Sequence, residues 1–127
     1  MSEITQITYD GTVPGADANT YVLFSTVNAG MGAGMAQANG HKKLTLAISN
    51  PQVGTLNLYR GIRTATVAAG WDQVSTTAVA AVAATTTNMY EFLIESFPHF
   101  KLEWVNGGVI QTGWVVDLAL EDERHAV

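Results

Sequence analysis

Apolar and polar residues alternate through much of this chain, and most regularly near its C-terminal end. In VIQTGWVVDLALE, Ile110, Trp114, Val116, Leu118 and Leu120 share one parity, and Gln111, Asp117 and Glu121 share the other. A period of two sustained over about ten residues predicts a half-buried strand. The preceding FKLEWVNGG sets Phe100, Leu102 and Trp104 against Lys101 and Glu103. Asn106-Gly107-Gly108 joins the two runs. Asn and Gly accept the positive φ of tight turns, so the pair is expected to be a hairpin.

The same alternation recurs upstream. MYEFLIES places Tyr90, Phe92 and Ile94 against Glu91 and Glu95; HKKLTLAIS places Leu44, Leu46 and Ile48 on one face; TLNLYR does so with Leu56 and Leu58. Asn50-Pro51-Gln52-Val53-Gly54 separates the last two as a turn. TYVLFSTV, EITQITYD and RTATVAA add three further strands. VSTTAVAAVAATTTN has helix-friendly alanines, but its threonines favour a strand with an extended approach, a short helix being the alternative. About eight strands with little helix predict an all-β antiparallel sandwich of jelly-roll type, a single domain over residues 1–127. Residues 1–19 are a candidate arm and 121–127 a frayed acidic tail.

Composition narrows the function classes. The chain lacks cysteine, which excludes disulfides and thiolate metal sites. Charged residues are only 13% of it, against about 25% in typical domains, so part of the surface suits coverage by other subunits or a partner. A net charge of −5, with six scattered basic residues of which only Lys42 and Lys43 are adjacent, argues against nucleic acid. No run of about 18 apolar residues offers a membrane span, and MSEITQITYDG lacks the features of a signal peptide.

NAGMGAGMAQANG, after an apparent strand, raises the question of a phosphate cradle. Gly30, Gly32 and Gly34 do not complete G-x-G-x-x-G, because Met35 stands at the third position, and no G-K-[ST] follows. The next segment reads as a strand, not the helix that a dinucleotide fold requires. Small residues with the pliable Met31 and Met35 suit a surface loop, either a plain one or one that docks on another subunit.

Catalytic constellations are missing. His41, His99 and His125 have no metal-ligand spacing, no G-x-S-x-G is present, and Glu91 with Glu95 reads as a solvated strand face. The expectation is a protein that is not an enzyme and has no cofactor. Trp104 and Trp114 lie on the core parity. Trp71, beside a turn in AGWDQV, is the aromatic candidate for an external contact.

NLYRGIRTATVAAGWDQV and MYEFLIESFPHFKLEWVNGGVIQTGWVVDLAL together resemble small β-sandwich structural proteins of tailed bacteriophages, over roughly residues 55–120. The resemblance implies a capsid decoration (cement) protein or related virion component. Its partner would be the major capsid protein of the phage shell, and its own state a homo-oligomer, with a trimer the expected form. It would lie on the capsid exterior after synthesis in the bacterial cytoplasm and would oppose the pressure of packaged DNA. Candidate capsid or inter-subunit contacts are Ile4, Ile7, Tyr9, Val13 and Pro14 of the arm, Met31 and Met35 of the glycine loop, and Trp71. The arm would add a strand to a neighbour's sheet edge, so removal of residues 1–15 is expected to weaken capsid binding while leaving the fold intact. The alternatives are a tail or head-fibre component, and a carbohydrate-binding module with Trp71 as its platform.

Overall fold

The computed structural model describes residues 3–25, 34–35, 42–61, 71–83, 86–93 and 99–122. They form nine strands: β1 (Glu3–Thr8), β2 (Thr20–Ser25), β3 (Gly34–Met35), β4 (Lys42–Ser49), β5 (Gly54–Gly61), β6 (Trp71–Val79), β7 (Asn88–Leu93), β8 (His99–Asn106) and β9 (Val115–Asp122). One sheet has the order β1-β9-β4-β7 and the other β3-β2-β8-β5-β6. All pairings are antiparallel except the two-residue β2–β3 contact. With β3 set aside, the orders become first-eighth-third-sixth and second-seventh-fourth-fifth, the double Greek key of a jelly roll. The all-β sandwich expected from the alternation is therefore the fold observed. Among the described residues no helix is long and apolar enough to cross a membrane.

The core lies between the sheets and is built from the predicted parity. Leu44, Leu46 and Ile48 of β4 and Val116, Leu118 and Leu120 of β9 face Leu56 and Leu58 of β5 and Phe100, Leu102 and Trp104 of β8. Full burial of such a side chain stabilises by about 1.5–3 kcal/mol. Tyr90 and Phe92 close the β7 side, stacked at a centroid distance of 6.4 Å. The VSTTAV part of VSTTAVAAVAATTTN forms the end of β6, which runs through Val79.

The expected terminal hairpin is not formed. β8 pairs with β2 and β5, whereas β9 pairs with β1 and β4 in the opposite sheet. Residues 107–114 instead make an arch between sheets, with Gly108 and Gly113 at φ of +97° and +74°. The alternation is the same for either arrangement, because both strands turn their apolar parity to the core. Trp104 of β8 and Trp114, the last residue of the arch into β9, therefore meet edge to face, with centroids 5.0 Å apart. Parity also fails before β9 begins: Ile110 is 54% exposed, while Gln111 is 2% exposed. The turn at residues 50–53 is present, and it too carries the chain from one sheet to the other.

The N-terminal arm requires a similar correction. β1 pairs along its whole length with β9, from Glu3 opposite Asp122 to Thr8 opposite Asp117. Tyr9 enters the core, edge-on to Phe24 and Trp114, and its hydroxyl donates to the Thr12 carbonyl at 2.6 Å. This segment is part of the sandwich, with β1 as the edge strand of its sheet. Deletion of residues 1–15 would bare the β9 edge and empty the Tyr9 site, so loss of a cooperative thermal melt is expected by circular dichroism. Glu121 and Asp122, expected in a frayed tail, are paired in β9.

Candidate functional site

Antiparallel pairing gathers four connections at one end of the sandwich: residues 9–19, 50–53, 80–83 with 86–87, and 107–114. Three buried amides hold this end together. Asn106, 2% exposed, donates through Nδ2 to the carbonyls of Gly15 (2.8 Å), Asp17 (3.0 Å) and Val109 (3.0 Å). Its Oδ1 accepts from Trp104 Nε1 at 3.2 Å and from Gln111 Nε2 at 2.9 Å. Gln111 also grips the backbone of Gln52, accepting from its N–H at 3.0 Å and donating to its carbonyl at 3.1 Å. Asn50, fully buried, donates to the carbonyls of Gln52 and Ala80, both at 3.0 Å, and accepts from Asn88 Nδ2 at 3.0 Å.

Backbone bonds complete the ties. Gly108 N–H donates to Asp17 O (2.9 Å), Gln111 N–H to Pro14 O (3.0 Å) and Val82 N–H to Asn50 O (3.0 Å). Buried polar groups satisfied in this way make a rigid unit, because any opening leaves several donors and acceptors unpaired in a low dielectric.

A pocket of about 340 Å³ opens next to Asn50, which lines it with Ser49, Pro51, Val82, Ala83, Thr112 and Gly113. It contains no titratable side chain. Around the same end, Val13, Val53, Val109 and Ile110 are 48%, 52%, 46% and 54% exposed. Tyr21 donates its hydroxyl to Asp17 at 2.6 Å, and this bond is the main reason its pKa is raised. Burial raises that of Tyr9. A tyrosine whose folded pKa exceeds its unfolded value of about 10 stabilises fully below that pH and loses the contribution as pH climbs through the folded value. The urea midpoint is therefore expected to fall above pH about 10, less steeply in Tyr9→Phe.

The outer face of the β2-β8-β5-β6 sheet carries a second cluster toward the opposite end. Lys101 Nζ lies 4.8 Å from the Tyr59 ring centroid and 5.1 Å from that of Trp71, and it pairs with Glu103 at 3.2 Å. The Lys101 and Glu103 side chains are only 18% and 14% exposed. Burial, and then Glu103, raise the Tyr59 pKa. Trp71 is half-buried, and its indole N–H is enclosed without a hydrogen-bond partner. An ammonium already over one Trp71 face makes it a poor platform for stacking a sugar.

The residues singled out from the sequence do not form one surface. Val13 and Pro14 lie at the amide-tied end, Val13 exposed and Pro14 buried, whereas Trp71 opens β6 at the other end. Tyr9 is in the core and Ile7 packs against it. Ile4 sits in β1 and Met35 in β3, but their side chains, like Met31 altogether, lie outside the described residues. So does most of the glycine loop, with residues 63–69, Ile94, Glu95, His41, His125 and the final five residues. Glu91 is exposed and pairs with Lys43 at 3.4 Å, and among the described residues no cluster of three metal-ligating side chains occurs. Val53, Val109 and Ile110 were not among the expected contacts.

No family model matches the chain, and neither does any curated protein. Among solved structures, the PBSX exported protein XepA is similar over 97% of this chain and 39% of its own, with a TM-score of 0.63 and 15% identity. The chain thus spans about two-fifths of that protein, and the likeness is one of fold. The infectious bursal disease virus VP2 subviral particle aligns with 94% of this chain and 32% of its own, at a TM-score of 0.47 and 19% identity.

Proposed function

We propose that this chain is a non-enzymatic virion structural protein that binds the outer surface of a phage capsid as a decoration protein and stabilises the filled head. The observation that carries the reading is the use made of polar groups at the amide-tied end. Asn50, Asn106 and Gln111 are consumed in fixing four connections to one another, and the pocket they adjoin is lined by no carboxylate, histidine, lysine or cysteine. Such an end presents a rigid surface, as docking requires. The jelly roll and the phage-like segments over roughly residues 55–120 support the same reading.

The protein acts as an oligomer, with a trimer the expected form, so several moderate contacts engage the shell together and gain by effective concentration. Its partner is the major capsid protein, and its place is the capsid exterior. The test is the temperature at which DNA-filled capsids release their DNA, followed with an intercalating dye. Saturating amounts of the protein are expected to raise that temperature. Release at an unchanged temperature, with the protein bound, would remove the stabilising role.

A further inference from the structure

Three features coincide at the amide-tied end. The first is apolar exposure: Val13, Val53, Val109 and Ile110 are each about half exposed. The second is rigidity, because each of these residues adjoins a tied position. Val13 precedes Pro14, whose carbonyl accepts from Gln111 N–H. Val53 follows Gln52, bonded at both its N–H and its carbonyl by Gln111. Ile110 precedes Gln111, and the Val109 carbonyl accepts from Asn106. Apolar groups held in this way lose little conformational freedom on docking.

The third feature is charge. In sequence, residues 9–19, 50–53, 80–87 and 107–114 contain no Lys, Arg or His, and their only carboxylates are Asp10 and Asp17. Lys42 and Lys43 open β4, Arg60 nearly closes β5 and Lys101 lies near the start of β8, all toward the far end. Arg63 and Arg124 lie outside the described residues. Among the described residues, lysine and arginine are thus kept away from this end. An apolar surface with an acidic, cation-free rim complements one of matching shape rimmed by Lys or Arg.

We infer that the amide-tied end is the face that meets the shell, and that it docks through Val13, Val53, Val109 and Ile110 onto an apolar site of the capsid surface rimmed by basic side chains. The pocket bounded by Pro51, Val82 and Thr112 lies beside this patch and is large enough to receive one apolar side chain of the shell. The inference rests on the decoration reading and adds to it the orientation and the chemistry of the partner. A second copy is a weaker occupant, because two such ends face to face would oppose Asp10 and Asp17 with like charges.

The experiment is a binding titration of the full chain on DNA-filled capsids of the encoding phage assembled without it, at low and raised salt. Val53→Ser/Ile110→Ser is expected to bind at least about tenfold more weakly with its thermal melt unchanged. Asp10→Lys, a change at one exposed position, is expected to weaken binding and to blunt its salt dependence. Met89→Ser/Leu93→Ser, on the outer face of the other sheet, is expected to bind as wild type. Normal binding by the first two variants, with loss in the third, overturns the inference and leaves decoration standing. Wild-type protein that does not bind overturns both. Sedimentation velocity gives the remaining outcome: if Val53→Ser/Ile110→Ser turns an oligomer into a monomer, the end is a contact between copies and the inference fails.

Discussion

Replacement of Asn106 by alanine is expected to destabilise the protein by roughly 3–5 kcal/mol and lower its Tm by about 10–20 °C. The side chain is buried and its amide serves five partners: three carbonyls on two connections, the Trp104 indole and the Gln111 amide. Alanine removes all five bonds and leaves most of their partners where water reaches poorly. Each unsatisfied buried group costs about 1–3 kcal/mol. Asn106→Asp separates hydrogen bonding from volume. It keeps the size but points a carboxylate at three carbonyl oxygens, so at neutral pH it is expected to be at least as damaging as alanine. Its folded pKa would be raised by burial and by those carbonyls. The penalty is therefore greatest where the unfolded carboxyl is ionised and shrinks as pH falls through the folded pKa, where a protonated carboxyl can donate. Urea unfolding at pH 5 and pH 8 checks the sign. An Asn106→Ala protein as stable as wild type would mean the amide bonds do not hold this end.

Gly54→Ala is the second large effect, at about 3 kcal/mol or more. Gly54 continues the inward parity of Leu56 and Leu58, yet no side chain fits there. A Cβ would lie 2.6 Å from Trp104 Cη2 and closer still to Cζ2 and Cε2. The indole cannot yield easily. It is fully buried, bonded to Asn106 through Nε1 and packed edge-to-face on Trp114. If this contact is the cause, a smaller residue at 104 relieves it. A cycle of Gly54→Ala, Trp104→Leu and the double variant is expected to show favourable coupling of at least about 1 kcal/mol. Additive costs would place the damage elsewhere.

Much of the sandwich can be read from the alternation alone. Leu44, Leu46 and Ile48, Leu56 and Leu58, Phe100, Leu102 and Trp104, and Val116, Leu118 and Leu120 all point inward as their spacing requires. Alternation says which face of a strand is buried, however, and not which sheet it joins. β8 and β9 have the composition of a hairpin, and Gly108 serves an arch as readily as a two-strand turn. The inversion at Ile110 and Gln111 has a local cause. There the chain has left β8 and not yet entered β9, so position is set by loop bonds and the pleat no longer applies.

The candidate docking end was less legible. Asn50 and Asn106 carry ordinary turn signals in the sequence, and their roles as clamps depend on partners as distant as Ala80 and Gly15. Val53 and Ile110 look like a turn residue and a core residue until three connections are brought together. The separation of cations from this end follows from strand direction in the jelly roll, which linear order does not reveal.

The central claim is that this sandwich attaches to a phage shell, and co-sedimentation tests it most directly. Purified protein would be spun with DNA-filled capsids and with unexpanded procapsids of the encoding phage. The account predicts saturable binding to the filled capsids, at a fixed number of copies per shell. Protein left in the supernatant with both kinds of particle would contradict it.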